Sequence, residues 1–461
     1  LNKIINHIIK TAKTQPNSIF LENSLQKVSW WQFFDQFEQK LGNFRFVQKN
    51  EIIAIATEQG INSVQLILSI WAKGGIAMPI NPNSIIHEIE RKLQKVACKK
   101  IIVQTKIPDL DENIQQVIIS DLEKTNRNSE ILLTESENAL ILFTSGSTDE
   151  SKAVIFTFEN LLASANSFIE YFNANSSDSW LLSLPIFHIG GFMIIFRTIL
   201  AKSTLYFPMQ IQNEAIFEAI AKFKPSFISV VNPTLSFLAK SNLENYKNLR
   251  GIFAGGGPIT ENPISEMIEK GIPVFKVYGS TETTSMITIL SPKGFLQKPK
   301  SAGKPFANVK IFISDESEIV VEAKQIARYF GEKNEIINFH TKDIGKIDED
   351  GFLFIEGRKS EFIISGGENI NLNKIEKVIK NCNQIKDCAV LGISDNYWGE
   401  KLVAVLEITN NFEMSNFIEF LSENLDKWEI PKEFKIINEL PKTELGKVDK
   451  KSLKQLFLSN Q

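Results

Sequence analysis

Residues 142 to 152, Leu142-Phe143-Thr144-Ser145-Gly146-Ser147-Thr148-Asp149-Glu150-Ser151-Lys152, run from an apolar strand into a hydroxyl-rich loop and end in a lysine. Phosphate oxygens need donors and positive charge, and backbone N–H groups, Ser/Thr hydroxyls and an ammonium supply both. The loop narrowly misses a Walker A pattern. Gly146 and Lys152 have its spacing, but Ser151 and Ala153 stand where Gly and Ser/Thr belong. The chain also continues as a second strand, at 153–157, where a Walker loop would open a helix. A Ser/Thr-rich surface turn would look the same. A second loop, Tyr278-Gly279-Ser280-Thr281-Glu282-Thr283-Thr284, again closes a strand. Tyr278 offers a flat face to a base, Thr281 a hydroxyl, and Glu282 a hard oxygen for Mg²⁺. Upstream, Gly255-Gly256-Gly257 lets a ligand approach the backbone closely. The plain alternatives are a core aromatic, a polar strand cap and a tight strand-to-helix turn.

Two further stretches lie downstream. In Thr341-Lys342-Asp343-Ile344-Gly345, Asp343 could accept from sugar hydroxyls. In Gly357-Arg358-Lys359-Ser360-Glu361, Arg358 could donate to the same sugar or to a phosphate. Lys447 follows Gly446 in an extended segment, and a lysine there is ordinarily solvated.

Apolar runs of strand length alternate with helical patterns over most of the chain. Strands are expected at 52–57, 75–80, 101–105, 117–120, 139–143, 153–157, 180–184, 226–231, 252–254 and 274–278, with helices at 61–71 and 160–172. This alternation predicts an α/β fold of layered, largely parallel sheets. Asp348-Glu349-Asp350-Gly351 predicts a hairpin turn. Beyond it, helices at 372–381 and 417–425 with strands at 388–393, 402–408 and 434–437 predict a small α+β domain. The expected division is therefore 1–357 and 358–461.

A chain of 461 residues with 43% hydrophobic and 23% charged residues can bury more than one core. Its net charge of −3 provides no footprint for nucleic acid. The three cysteines show no metal-ligand spacing, and the four histidines form no metal motif. With no apolar run of spanning length or signal-peptide pattern, cytoplasmic localisation is the expectation.

In this order, the four chemical stretches resemble the adenylate-forming superfamily of acyl-CoA synthetases, adenylation domains and luciferases, over roughly residues 140–448. The resemblance implies a large N-terminal domain and a small mobile C-terminal one. It also implies an acid–CoA ligase using ATP, Mg²⁺ and coenzyme A. Thr144, Ser145, Gly146, Ser147, Thr148 and Lys152 would hold the ATP β- and γ-phosphates. Gly255, Gly256, Gly257 and Tyr278, with Gly279 beside it, would line the adenine. Thr281 would touch phosphate, Glu282 would bind Mg²⁺, and Asp343 and Arg358 would hold the ribose. Lys447 would reach the α-phosphate and carboxylate during adenylation. Ser360 would be the hinge on which the small domain swings, bringing Gly366-Gly367 to the pantetheine for the second step.

A narrower resemblance rests on Leu184-Pro185-Ile186-Phe187-His188-Ile189-Gly190-Gly191-Phe192, Ser301-Ala302-Gly303-Lys304-Pro305 and residues 357–370. These are similar to the o-succinylbenzoate–CoA ligases of menaquinone synthesis. That resemblance implies His188 at the acyl pocket, with Arg197 and Asn232 as candidates for a second substrate carboxylate. A core histidine and structural roles for the other two are the plain alternatives. The chain departs from the family pattern at Asp149 and Ser151 (usually Gly and Pro), at Glu361 (usually Asp) and at Asn371-Leu372 (usually Tyr-Pro). Asp149 sets a negative charge beside a triphosphate. Other aryl- or acyl-CoA ligases, a carrier-loading enzyme and a weakened nucleotide- or acyl-binding protein remain alternatives.

Overall fold

The computed structural model describes residues 3–122, 134, 136–144, 151–241, 243–332, 336–365, 368–395, 398–441 and 448–458. It divides into two compact units. One is Leu1–Phe312 with Val320–Phe339 and Ile347–Phe354; the other is Ile313–Ile319 with His340–Lys346 and Ile355–Gln461. The chain passes from one unit to the other within strands Lys310–Ile313, Glu318–Glu322, Phe339–Ile347 and Leu353–Arg358.

Two sheets build the first unit. The seven-stranded sheet has the order Arg328–Tyr329, Ala153–Thr157, Asn138–Phe143, Ile76–Pro79, Ile52–Ala56, Lys100–Val103, Gln115–Ile118. Its five central and far strands pair in parallel, and the first two run antiparallel to their neighbours. The nine-stranded sheet contains the parallel run Val274–Ser280, Gly251–Ala254, Phe227–Val230, Ser179–Leu181, Thr204–Tyr206, Ile19–Glu22. The antiparallel strand Ser285–Leu290 follows Val274–Ser280. This is the layered α/β arrangement that the alternating pattern predicts. One expectation is corrected: residues 117–120 are not all strand. The strand is Gln115–Ile118, and the chain turns into a short helix, Ile119–Leu122, because the apolar run 117–119 has no period long enough to separate the two states.

Helices Phe158–Phe172 and Ile189–Ala201 lie between the sheets. Thr157 starts the first: its hydroxyl accepts from Asn160 N, while Asn160 Oδ1 accepts from Thr157 N. Trp71 packs edge-on against Phe158, Phe192 and Phe196 from the seven-stranded side. Phe168 meets Trp180, Phe227 and Phe253 of the nine-stranded sheet. Helix Ile189–Ala201 is buried on nearly all faces, so it is apolar throughout and its arginine stands out chemically. Gly191 lets this helix start close above the preceding turn, since a Cβ there would lie 2.2 Å from the Pro185 carbonyl oxygen.

The N-terminal helix Lys3–Thr14 lays His7 against the same helix, with Nε2 3.1 Å from the Ile199 carbonyl. Burial lowers the His7 pKa, and Lys202 lowers it further. Because the folded value lies below the unfolded one, folding favours the neutral ring. The associated stability is complete above pH 6.5 and is lost as pH falls through the folded pKa. Urea midpoints at pH 7.5 and 5.5 should therefore fall less steeply with acid in His7→Asn than in the parent. Equal slopes would show that His7 does not contribute.

In the second unit, the sheet order is Glu368–Asn371, Phe362–Ser365, Gly399–Ile408, Ile385–Asp395, with Glu433–Ile437 parallel to Gly399–Ile408. Helices Leu372–Lys380 and Met414–Asn424 cover one apolar face, from Ile375 and Ile379 to Phe417 and Leu421. The Asn371 departure is a helix cap: its Oδ1 accepts from Lys374 N and its Nδ2 donates to the Glu356 carbonyl. No helix among the described residues is long and apolar enough to cross a membrane.

Candidate active site

The two hydroxyl-rich loops of the first unit are hairpin ends. Strands Asn138–Phe143 and Ala153–Thr157 pair antiparallel, so Thr144 and Lys152 face each other across the base of the loop. Thr144 N donates to Lys152 O at 2.9 Å, and Lys152 N donates to Thr144 Oγ1 at 3.1 Å. Ser145, Gly146, Ser147 and Thr148, with Asp149, lie outside the described residues. At the exit, Arg91 Nη2 donates to Ser151 Oγ and Lys95 Nζ to Ser151 O. Two cations of helix Ile86–Lys95 thus hold the position where proline is usual.

The second loop links strands Val274–Ser280 and Ser285–Leu290, with a register shift between Tyr278 and Gly279. Here the hairpin is so tight that a Cβ on Gly279 would stand 1.9 Å from the Ser285 carbonyl oxygen. Thr284 and Ser285 both adopt positive φ, at 50° and 78°. That conformation is uncommon for a β-branched residue and needs outside support. Gln325 Nε2 supplies it by donating to Thr283 O and Met286 O, as does Thr284 Oγ1 by donating to Gln325 O. Gly255, Gly256 and Gly257 follow strand Gly251–Ala254, which is parallel to the strand carrying Tyr278. The adenine candidates therefore share the carboxyl end of the sheet, where α/β folds bind ligands.

Glu282 is half-buried, and Tyr329 donates its hydroxyl to Glu282 Oε1 at 3.0 Å. The Lys152 ammonium sits 4.5 Å from the centre of the same ring. Tyr329 has no motif around it in the sequence. It joins the site because strand Arg328–Tyr329 pairs with Ala153–Thr157, a contact between segments far apart in the chain. A single carboxylate is what Mg²⁺ needs from protein when phosphates supply other ligands, so Glu282 fits that ion. No cluster of three or more His, Cys, Asp or Glu that could hold a metal occurs among the described residues.

Arg197 is 1% exposed. Its guanidinium lies 5.1 Å from the Phe168 ring and 5.9 Å from Trp180, and Nη2 is 3.4 Å from Ser285 Oγ. Nε and Nη1 have no hydrogen-bond partner among the described residues. Burial pushes its pKa down to about 9, so it remains a cation at neutral pH. His188 stands at the N-cap position of helix Ile189–Ala201, its ring 4.8 Å from that of Phe187. Partial desolvation lowers its pKa, and Lys92 lowers it further. Asn232 begins helix Asn232–Ala239, and its Oδ1 accepts from both Thr260 N and Thr260 Oγ1. That oxygen ties the glycine-rich turn to the helix.

In the second unit, Asp343 is 6% exposed and pairs with Arg358 Nε at 2.7 Å. Arg358 also donates to Thr341 O at 3.2 Å. Ser360 lies in the short 3₁₀ turn Lys359–Glu361, and Glu361 accepts from Arg358 N at 2.7 Å. The unusual glutamate thus fastens this turn. Lys447, Gly366 and Gly367 lie outside the described residues.

The AMP-binding enzyme model matches residues 9–331, and the AMP-binding enzyme C-terminal domain model matches 374–447. The chain belongs to the AMP-binding enzyme family. Among its relatives, the 2-succinylbenzoate–CoA ligase of Listeria monocytogenes is 33% identical over 420 residues, covering 89% of this chain and 90% of that one. That of Listeria innocua is 30% identical, covering 98% and 99%. The Bacillus subtilis o-succinylbenzoate CoA synthetase in complex with ATP and magnesium superposes with a TM-score of 0.86 at 26% identity, covering 97% and 99%. Its complex with the acyl-adenylate intermediate gives 0.84 at 27% identity, covering 97% and 98%.

Proposed function

We propose that this chain is an AMP-forming 2-succinylbenzoate–CoA ligase of menaquinone biosynthesis, acting in the cytoplasm. The observation that carries the choice of acid is Arg197, a buried cation whose Nε and Nη1 have no partner among the described residues. A dicarboxylate answers this feature: the guanidinium would take the carboxylate that does not react. The relatives named above act on such an acid.

In the first step, the other carboxylate attacks the α-phosphorus of ATP and pyrophosphate leaves. In the second, the CoA thiol attacks the acyl carbonyl and AMP leaves. Lys152 with Thr144 to Thr148 would hold the β- and γ-phosphates, and Tyr278 with Gly255 to Gly257 and Gly279 the adenine. Thr281 would touch phosphate, and Asp343 with Arg358 would hold the ribose. Glu282 would hold Mg²⁺, which when bound offsets charge on the phosphate oxygens. Lys447 would donate to the α-phosphate, and His188 would gate the acyl pocket for thiol entry. Asn232 would act through the glycine-rich turn that it braces. The functional division would fall at 357/358, with Ser360 as the hinge.

Pyrophosphate release with Mg²⁺-ATP and CoA should favour o-succinylbenzoate strongly over benzoate, acetate and a medium-chain fatty acid. Preference for another acid would keep the ligase and discard the menaquinone role. Silence with all four from folded protein would point to a nucleotide- or acyl-binding protein.

A further inference from the structure

We propose that Tyr329 is a positioning residue that keeps Glu282 and Lys152 apart and aims each at its part of a bound Mg²⁺-triphosphate. This rests on the reading of Glu282 as the metal's carboxylate and Lys152 as a phosphate donor. Opposite charges carried on adjacent loops tend to pair with each other, and a pair of this kind must be broken before either group can serve a ligand. The tyrosine gives each charge a separate partner. Its hydroxyl donates to Glu282 Oε1 at 3.0 Å, and its ring face takes the Lys152 ammonium at 4.5 Å. A hydroxyl donor steadies a carboxylate without neutralising it, and a ring face holds an ammonium loosely enough to release it.

The backbone around Tyr329 is built for this task. Ala327 N donates to the carbonyl of Glu282 itself at 2.8 Å, and Phe330 N to the carbonyl of Ala153 at 2.9 Å. Tyr329 therefore sits between a bond to the carboxylate's own residue and a bond to the residue after Lys152. Upstream, Asn160 Nδ2 holds the Lys324 and Ile326 carbonyls, and Gln325 holds the strained Thr283–Met286 turn. One short segment thus sets the spacing between the phosphate loop of one sheet and the Glu282 loop of the other.

The test is calorimetric binding of a non-hydrolysable ATP analogue (α,β-methylene-ATP) at stepped Mg²⁺ concentrations. It uses the full chain, its Tyr329→Phe, Tyr329→Leu and Glu282→Gln variants, and the Glu282→Gln/Tyr329→Phe double variant. Tyr329→Phe keeps the ring and loses the hydroxyl. It should raise the Mg²⁺ needed for half-maximal binding about three- to tenfold while leaving affinity at saturating Mg²⁺ and the KM for the acid unchanged. Tyr329→Leu should also weaken binding at saturating Mg²⁺. The double variant should show no more than the Glu282→Gln effect, because both changes remove one coupled interaction. If Glu282→Gln raises the Mg²⁺ requirement and Tyr329→Phe does not, the positioning role is overturned and the Glu282 reading stands. If Glu282→Gln has no effect, both fall together. A folded Tyr329→Phe that raises the acid KM as much as the Mg²⁺ requirement would mark Tyr329 as a general packing residue and overturn the proposal. Tyr329→Phe alone decides the metal arm if Tyr329→Leu does not fold.

Discussion

Arg197→Met should cut kcat/KM for o-succinylbenzoate by about 10²–10³-fold and leave the melting temperature unchanged or higher. The two effects have one cause. A guanidinium at 1% exposure whose Nε and Nη1 have no partner among the described residues is costly in the folded chain. Stacking near Phe168 and Trp180 offsets only part of that cost. Methionine keeps an unbranched stem among the same rings and removes the charge. A substrate carboxylate would then be buried without a partner, a penalty of about 2–5 kcal/mol, and each 1.36 kcal/mol corresponds to about tenfold in rate. Pyrophosphate-release kinetics with o-succinylbenzoate and with a monocarboxylic acid, beside a thermal melt, check this. Loss of activity toward every acid alike, with a lower melting temperature, would assign Arg197 to the fold and not to the substrate.

Lys447→Ala should lower acyl-AMP formation by about 10²–10³-fold and spare thiol attack on supplied acyl-AMP. In the first step a carboxylate approaches a triphosphate, so two anions meet and charge builds on the oxygens of the α-phosphorus. An ammonium placed there before the reaction lowers that barrier. The second step has a neutral acyl carbonyl and a departing AMP, and makes no such demand. Single-turnover measurement of each half-reaction separates the two, and equal loss in both would refute the assignment.

Much of the fold was legible because strand and helix patterns are local. The strands 139–143 and 153–157, the helix after Thr157 and the turn at 348–351 each follow from a short run of side chains. The error at 117–120 came where four apolar or small residues carry no period. Asn371 and Glu361 read as departures from a family pattern. In the structure both are local hydrogen-bonding devices, one capping a helix and one closing the turn after Arg358.

By itself, the sequence marked which groups are candidates for phosphate, base, ribose and metal, because residue type and strand-end position are properties of a few neighbouring residues. Tertiary structure decided what each group faces. In the sequence, Arg197 is a candidate for a substrate carboxylate only through the family resemblance. The structure buries helix Ile189–Ala201 between two sheets and leaves Arg197 Nε and Nη1 with no hydrogen-bond partner among the described residues, and that is what supports an anion-binding role. Asn232 read as either a candidate substrate contact or a structural residue, and the structure shows its oxygen accepting from Thr260, 28 residues away. Tyr329 had no signal at all, since it meets Glu282 and Lys152 through a strand pairing that no spacing encodes. Burial and long-range pairing set the strength of a charge and the company it keeps, and both arise only when the chain closes on itself.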